Sequence, residues 1–318
     1  MEEAQQFDLH HFRHSKIVSD MPLVRSWQLS NALTFTIHLT KCIVTDPPLM
    51  ASNRSNFANQ HTSLLVPTNP TLTSTTRFPY FKQGGHVNDD WVTPTSSTAK
   101  RQDYKLDLRS GSDDWKKSSR WGGMEAGQGM VYPAQTVDGM VYIHGGKEYD
   151  EQLKRLRDRI NRGKDTKISE GSTGDDLIPS AVECTTYGKL KSIGYDELIH
   201  VAPPVYNMNK NVDESGLELC YLNGFITAFN IHHELTSTGS RTKGQLLVIL
   251  SPLIGAGCRN WPVSEAAKLA ISAIENFCLL EIEHCKKNAH RNQVHLGLVG
   301  INKDVCEVVL DAAKEVFG

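Results

Sequence analysis

Residues 246–274 constrain the fold more than any other part of this sequence. They open with the unbroken apolar run 246–250, which is typical of a strand buried on both faces by helices. Pro252 interrupts the run, and a short Gly-Ala-Gly loop follows at 255–257. From Ser264 onward the apolar residues recur at helical spacing. The segment therefore predicts a strand, a glycine loop and a helix.

A unit of this kind places backbone N–H groups and the positive end of a helix dipole at the carboxyl end of a buried strand. Open α/β sheets bind ligands at that edge, and a phosphate group suits it. A single Gly-x-Gly is nevertheless weak as a motif, because it also occurs where a loop only connects a strand tightly to a helix. Both interpretations stay open on the spacing alone.

The segments around the loop carry a more specific pattern. Residues 254–262 read Ile-Gly-Ala-Gly-Cys-Arg-Asn-Trp-Pro, and the next helix opens on Ser-Glu-Ala-Ala at 264–267. Upstream lies Leu-Ile-His-Val-Ala-Pro-Pro at 198–204, and downstream lie an apolar run at 294–299 and a helical pattern at 304–317. Together these segments resemble macro domains, with 254–262 similar to that family's second phosphate-binding loop.

This resemblance implies a fold and a ligand. The fold is a three-layer α/β/α sheet, and the ligand is ADP-ribose or a related nucleotide diphosphate in a cleft at the strand ends. Trp261, at the aromatic position of the motif, either joins the ligand site or packs into the core. No other cofactor and no metal is implied. The residues implied as wrapping the diphosphate, largely through backbone N–H groups, are Gly255, Ala256, Gly257, Cys258 and Arg259.

The first half of the family's site matches less well. Residues 137–144 resemble a family strand that runs into an asparagine turn and a glycine loop, and here Gly145 and Gly146 follow as candidate ligand contacts. The asparagine that holds the ribose in family hydrolases is replaced by Tyr142 or Gly145, depending on register. If the chain is a hydrolase, the candidate base is His144, since an unperturbed histidine has a pKa near 6.5.

The first 125 residues differ in composition from the rest. From 52 to 119 the chain is rich in Ser, Thr, Asn, Gly and Pro and lacks apolar periodicity, so alone it cannot offset its ordering entropy. Aromatic residues such as Trp91 and Trp115 recur there, as in arms that insert anchors into a partner. We predict a largely irregular N-terminal arm over residues 1–125, with a protein partner, and a macro-like α/β domain over residues 126–318.

Apolar spacing predicts the remaining elements. An alternation of strands and helices is the mark of a layered α/β fold. Residues 34–40 also alternate like a strand, although the absence of acidic residues between Asp20 and Asp46 is compatible with a mitochondrial targeting segment. The other predicted strands are 137–144, 181–187, 198–202 and 294–299, and the predicted helices are 149–160, 217–229, 264–284 and 304–317.

Charge and cysteine usage narrow the class of protein. The formal net charge of −2 argues against nucleic-acid binding outside a larger assembly. No apolar run reaches the roughly 18 residues of a membrane helix, which predicts a soluble protein with no membrane partner. The 7 cysteines include no Cys-x-x-Cys pair, which favours free thiols in the cytoplasm or nucleus.

Three functional interpretations follow. The first is a macro-domain-like protein without catalytic activity that binds ADP-ribose or a related nucleotide, or has lost that site. The second is a structural subunit of a larger assembly, such as an organellar ribonucleoprotein, held by its N-terminal arm. The third is a hydrolase of ADP-ribosyl esters or of O-acetyl-ADP-ribose. Fold alone does not decide between them.

Overall fold

One mixed sheet organises the computed structural model of this chain. The structure describes residues 23–40, 42–48, 60–68, 136–161, 182–185, 189–204, 206, 214–240, 245–257, 259, 261–287, 293–300 and 303–318. Within these residues the strands are β1 (Leu23–Gln28), β2 (Leu33–Leu39), β3 (Gln60–Pro67), β4 (Val182–Thr185), β5 (Glu197–Val201), β6 (Leu246–Pro252) and β7 (Val294–Gly300). The helices are α1 (Val137–Asn161), α2 (Lys189–Ile193), α3 (Glu214–Ser237), α4 (Val263–Lys287) and α5 (Lys303–Phe317).

The strands lie in the order β1-β2-β7-β6-β3-β5-β4. The five inner strands β2, β7, β6, β3 and β5 run parallel to one another. The outer strands β1 and β4 pair antiparallel with β2 and β5. Because the inner strands are parallel, their carboxyl ends meet at one edge of the sheet.

Helices cover both faces of the sheet. On one face α3, α4 and α5 form a core with residues such as Trp27, Phe35 and Phe317, and Trp27 stacks on Phe35 with ring centroids 5.3 Å apart. On the other face α1 and α2 contribute a second core that includes Tyr149 and Leu198. The predicted three-layer α/β/α architecture is confirmed.

The predicted boundary at residue 125 is wrong, because three strands precede it. β3 lies inside the sheet, paired with β5 on one side and with β6 on the other. Its first residues after Gln60 are polar, and His61, Thr62 and Ser63 are at most 1% exposed. Composition suggested an irregular arm because these buried polar residues resemble loop residues in sequence. The predicted aromatic anchors Trp91 and Trp115 lie outside the described residues.

The strand predicted over 137–144 is also wrong, because these residues begin the helix α1. Val141, Tyr149, Leu153 and Leu156 are at most 3% exposed and recur at the four- and three-residue intervals of a helix face. Gly146 does not end the element but kinks it, with a φ of 69°. The helix predicted over 217–229 is confirmed as α3, which extends eight residues further. The other predicted elements are confirmed within a few residues of their bounds: β2, β4, β5, β6, β7, the second half of α1, α4 and α5.

Candidate functional site

A cleft of about 250 Å³ lies at the carboxyl edge of the inner strands. Its floor is formed by the ends of β3, β5, β6 and β7, through Thr68, Pro203, Pro252 and Val299 respectively. Prolines cannot continue a strand ladder as donors, so Pro203 and Pro252 stand where the ladders give way to loops. The cleft therefore occupies the edge at which parallel α/β sheets bind ligands.

The first turns of three helices also line the cleft. Thr136 and Asp138 lie at the start of α1, Val263 lies at the start of α4, and Val305 lies in the first turn of α5. The first backbone N–H groups of a helix have no partner within the helix, and the helix dipole adds positive potential there. The starts of α4 and α5 favour an anionic ligand, whereas at the start of α1 the Asp138 carboxylate and the helix dipole offset each other.

The loop between β6 and α4 is held in a fixed conformation. The Tyr221 hydroxyl lies 2.6 Å from the Ile254 backbone nitrogen and accepts its hydrogen bond. The Trp261 backbone N–H donates to the Gly255 carbonyl at 3.1 Å, which closes the loop. Gly255, Ala256 and Gly257 line the cleft. The predicted glycine loop is thus part of the cavity and is shaped before any ligand binds.

Arg259 connects this loop to the end of β3. Its side chain lines the cleft, and the residue is only 6% exposed. The Nη2 group donates a hydrogen bond of 2.9 Å to the Thr68 carbonyl oxygen. An arginine is always charged in proteins, so a permanent positive charge is held at this wall of the cleft.

Trp261 belongs to the core and not to the cleft lining. It is 3% exposed, and its Nε1 donates to the Pro204 carbonyl at 2.8 Å. Its ring centroid lies 5.2 Å from that of Tyr206. Of the two roles left open for this residue, the structure supports packing. Cys258 lies outside the described residues.

Gly145, Gly146 and His144 do not line the cleft, contrary to the expectation for the first half of the site. All three lie within α1, about two turns beyond its first residue. A Cβ at Gly145 would meet the Tyr149 side chain at 2.7 Å, so this glycine permits close packing inside the helix. The prediction that Tyr142 or Gly145 replaces the family asparagine is also wrong, because it assumed a strand where the structure has a helix.

Sequence reasoning missed Thr68, Thr136 and Asp138. Thr68 follows β3, which was not recognised as a strand. Thr136 caps α1, since its Oγ1 accepts a 3.0 Å hydrogen bond from the Gly139 backbone N–H. A threonine followed by an acid in the next turn is a signal for the start of a helix, and it was present at 136–138. Asp138 is a carboxylate that lines the cleft while being only 4% exposed.

Several histidines are buried in the sheet and are unsuited to acid–base chemistry at neutral pH. Thr36 Oγ1 lies 2.7 Å from His38 Nε2 and 2.6 Å from His295 Nε2. Burial lowers the pKa of His38 to about 4 and that of His295 to about 3. Burial likewise lowers the pKa of His200, whose Nε2 lies 2.9 Å from the Tyr149 hydroxyl, to about 3. These side chains are neutral at pH 7 and belong to the core.

The described residues form neither a cluster of metal ligands nor a membrane-spanning helix. Among those residues, no three His, Cys, Asp or Glu side chains are grouped so that they could hold a metal ion. No helix formed by the same residues combines the length and the apolar character needed to cross a membrane.

Comparison with known proteins gives matches only among solved structures. No family model matches the sequence, and no curated protein is significantly similar to it. A macrodomain of Oceanobacillus iheyensis with ADP-ribose shares 14% identity, with 90% of this chain and 95% of that chain covered and a TM-score of 0.47. The same macrodomain with ADP shares 15% identity, with 90% of this chain and 93% of that chain covered and a TM-score of 0.46. A Trypanosoma brucei macrodomain in complex with ADP shares 10% identity, with 87% of this chain and 68% of that chain covered and a TM-score of 0.42.

All three of these structures are macrodomains, the family that the sequence segments resemble. The identities are 15% or lower and the TM-scores are below 0.5. What the cleft of this chain binds therefore has to follow from its own residues.

Proposed function

We propose that this chain binds a nucleoside diphosphate derivative of the ADP-ribose class in the cleft, and that it acts through binding and not through catalysis. The observation that carries the proposal is the convergence of three helix starts and the Gly255–Gly257 loop on one cavity. Backbone N–H groups and helix dipoles suit phosphate oxygens, and Arg259 adds a permanent positive charge.

The size of the cleft supports a ligand of this class. Its volume of about 250 Å³ is close to the lower end of ligand cavities, which run from roughly 300 to 1,000 Å³. A diphosphate with one adjoining ring fits such a volume, and the rest of the ligand extends through the open side. The lining is mostly apolar with a few polar groups, as in other small-molecule sites.

The test is calorimetric titration of the whole chain with ADP-ribose, beside the variant Gly257→Glu. A Cβ at Gly257 meets nothing within 4 Å, so the new side chain extends into open space without disturbing the loop. Its carboxylate repels the diphosphate. We expect a dissociation constant in the micromolar range, about −8 kcal/mol, for the unmodified chain. We expect Gly257→Glu to weaken binding about 100-fold or more.

Asn230→Glu is the matched control, because it makes the same charge change at an exposed position on α3 outside the cleft. We expect this variant to bind like the unmodified chain, and all three proteins to have the same melting temperature. Absence of heat and of thermal stabilisation at millimolar ADP-ribose would refute the proposal. Equal binding by Gly257→Glu would show that the ligand does not use this loop.

A second candidate function is hydrolysis of an ADP-ribosyl bond, and Asp138 is the observation that favours it. A carboxylate that is 4% exposed and lines a ligand cleft is a candidate general base. Under this alternative, Asp138→Asn lowers the turnover of an ADP-ribosyl ester by a factor of roughly 10² to 10⁴. His144→Ala is the matched control and leaves turnover unchanged, because His144 does not line the cleft. No turnover in the unmodified chain would leave binding as the function.

The structural-subunit alternative loses much of its support. It relied on residues 1–125 forming an arm, whereas β1, β2 and β3 within them belong to the sheet. A protein partner for residues 1–125 stays a proposal, and cross-linking of the whole chain in cell extract, with mapping of the linked peptides, tests it. Cross-links from those residues only to the chain itself would contradict it.

A further inference from the structure

We infer that Arg259 makes the cleft prefer a nucleotide whose phosphate chain ends in a free phosphate over one whose phosphate chain is capped by a neutral sugar. The inference rests on the proposed function, because it names which members of that ligand class fit best. It concerns the end of the cleft at which Arg259 lies.

The cleft has two chemically different ends. β7, β6, β3 and β5 are consecutive neighbours in the sheet, so the cleft floor spans three inter-strand spacings, or roughly 14 Å. At the β7 end it is lined by Val299 and Val305, which suit an uncharged ring. At the β3 and β5 end it is lined by Thr68 and Arg259. A nucleotide that places the ring next to its diphosphate over β7 points its phosphate chain along the floor toward Arg259.

Arg259 is fixed in place at that end. Its Nη2 donates to the Thr68 carbonyl, which follows β3, and the Thr68 backbone N–H donates to the Val201 carbonyl at the end of β5 at 2.8 Å. The guanidinium is thus hydrogen-bonded to a backbone carbonyl that follows β3 and is itself linked to the end of β5. Because its orientation is set before a ligand arrives, little side-chain entropy is lost when an anion binds.

The charge of the ligand at this end decides the preference. A guanidinium that is largely removed from water gains most from a fully charged acceptor, and a charge-assisted hydrogen bond is about twice as strong as a neutral one. A terminal phosphate supplies that acceptor, whereas a ribose supplies only neutral hydroxyl groups. The carboxylate that lines the cleft, Asp138, lies in the first turn of α1, where the helix dipole offsets its charge.

The experiment compares ADP with ADP-ribose on the whole chain at pH 7.5 by calorimetric titration. The two nucleotides share adenosine and the diphosphate. ADP ends in a free terminal phosphate, whereas the second phosphate of ADP-ribose is esterified to a ribose. We expect ADP to bind about tenfold more tightly. In Arg259→Gln the side chain keeps an N–H donor for the Thr68 carbonyl and loses its charge. We expect this variant to weaken ADP binding about tenfold and ADP-ribose binding by less than about threefold, so that the preference disappears.

Lys268→Gln is the matched control, because it removes one positive charge from α4 at a side chain that is 60% exposed. We expect it to leave the ratio of the two affinities unchanged. A second readout needs no variant at all. The terminal phosphate takes up a proton with a pKa near 6, so the advantage of ADP should shrink between pH 7.5 and pH 5.5. This readout holds even if Arg259→Gln fails to fold.

The outcomes separate the inference from the proposed function. If both nucleotides bind with equal affinity, or ADP-ribose binds more tightly, the inference is overturned and the proposed function stands. The same conclusion follows if the ratio of affinities is unchanged in a folded Arg259→Gln. If neither nucleotide binds at millimolar concentration, the proposed function fails and the inference fails with it.

Discussion

At Gly255 the backbone and the packing both require glycine. Its φ is 90°, in the left-handed region, and a Cβ would lie 2.9 Å from Trp261 Cδ1 and 3.2 Å from Leu217 Cδ2. Two residues later, Gly257 has no atom within 4 Å of its Cβ position. One glycine is therefore needed by the fold, and the other leaves the ligand room.

We expect Gly255→Ala to lower the free energy of unfolding by about 2 to 4 kcal/mol, because left-handed strain and overcrowding add. Gly257→Ala is the matched control and should change it by less than about 1 kcal/mol. Urea denaturation of both variants at pH 7.5 measures the difference. Equal stabilities would show that the loop adjusts its backbone freely, contrary to the hydrogen bonds that close it.

The part of the site that could be predicted is the part with a local signature. The glycine loop at 255–257 stands between a buried strand and a helix, and its place in the cleft follows from that order. Thr68 and Asp138 could not be placed by local spacing, because they reach the cleft only through the pairing of β3 with β6 and the packing of α1. The spacing of Trp261 fits a core role as well as a ligand role, and only its burial and its contacts with Pro204 and Tyr206 separate the two roles.

At the scale of elements, α3 lies unusually close to β3. A Cβ at Gly224 of α3 would meet Leu65 Cδ2 of β3 at 2.7 Å. Leu65 is completely buried, and so is the face of α3 that contains Leu217 and Tyr221. The absence of a side chain at Gly224 therefore sets the distance between this helix and β3.

We expect Gly224→Ala to destabilise the protein by about 1 to 3 kcal/mol and Leu65→Ala by about 2 to 5 kcal/mol. The double variant should cost less than the sum, by at least about 0.5 kcal/mol, because the new methyl group enters the space that the leucine leaves. A double-mutant cycle from urea denaturation measures this coupling. Strict additivity would mean that the two residues do not touch.

The elements that sequence reasoning misassigned are those with ambiguous periodicity. Residues 137–144 form a short apolar run followed by two glycines, and such a run fits a buried strand or a helix equally well. The threonine at 136, which caps α1, is the local signal that favours the helix. β3 was missed for a different reason, since its apolar run 64–66 is short and polar residues that are buried precede it.

At the scale of the whole molecule, the two ends of the chain are interleaved. β2 pairs with β7 along seven residues, from Leu33 opposite Val294 to Leu39 opposite Gly300. β3 separates β5 from β6. A fragment of residues 126–318 therefore lacks a strand from inside its own sheet.

We expect that fragment not to fold, because β6, β5 and β7 each lose a paired neighbour strand. Both hydrophobic cores also lose the side chains that the missing strands contribute. Thermal unfolding followed by circular dichroism should show no cooperative transition, while the whole chain unfolds in one. A cooperative transition with dispersed amide resonances in the fragment would contradict this expectation and restore the boundary near residue 125.

Acid should destabilise the fold through its buried histidines. His38, His200 and His295 have pKa values near 4, 3 and 3 in the folded state, against 6.5 for an ordinary histidine. Above pH 6.5 both states are neutral and the stability is fully present. As the pH falls from 6.5 toward the folded values, the unfolded chain takes up protons that the folded chain excludes. Stability is therefore lost, by up to about 1.4 kcal/mol per pH unit for each histidine.

The variant His200→Gln tests this, since a glutamine amide can keep the contact with the Tyr149 hydroxyl and does not titrate. We expect the slope of unfolding free energy against pH between 6 and 4.5 to fall by about 1.4 kcal/mol per pH unit. The absolute stability at pH 7.5 should change much less. An unchanged slope would mean that His200 is protonated in the folded protein.

The position of β3 between β5 and β6 also sets the order in which the chain can fold during its synthesis. About 130 residues separate the end of β3 from its partner β5, and about 180 separate it from β6. At 5 to 20 residues per second, the ribosome needs roughly 7 to 26 seconds to deliver even the nearer partner. During that interval β3, with its apolar run 64–66, is exposed with both edges unpaired, which is the state in which strands aggregate. The nascent chain is therefore most vulnerable before its last third has been made.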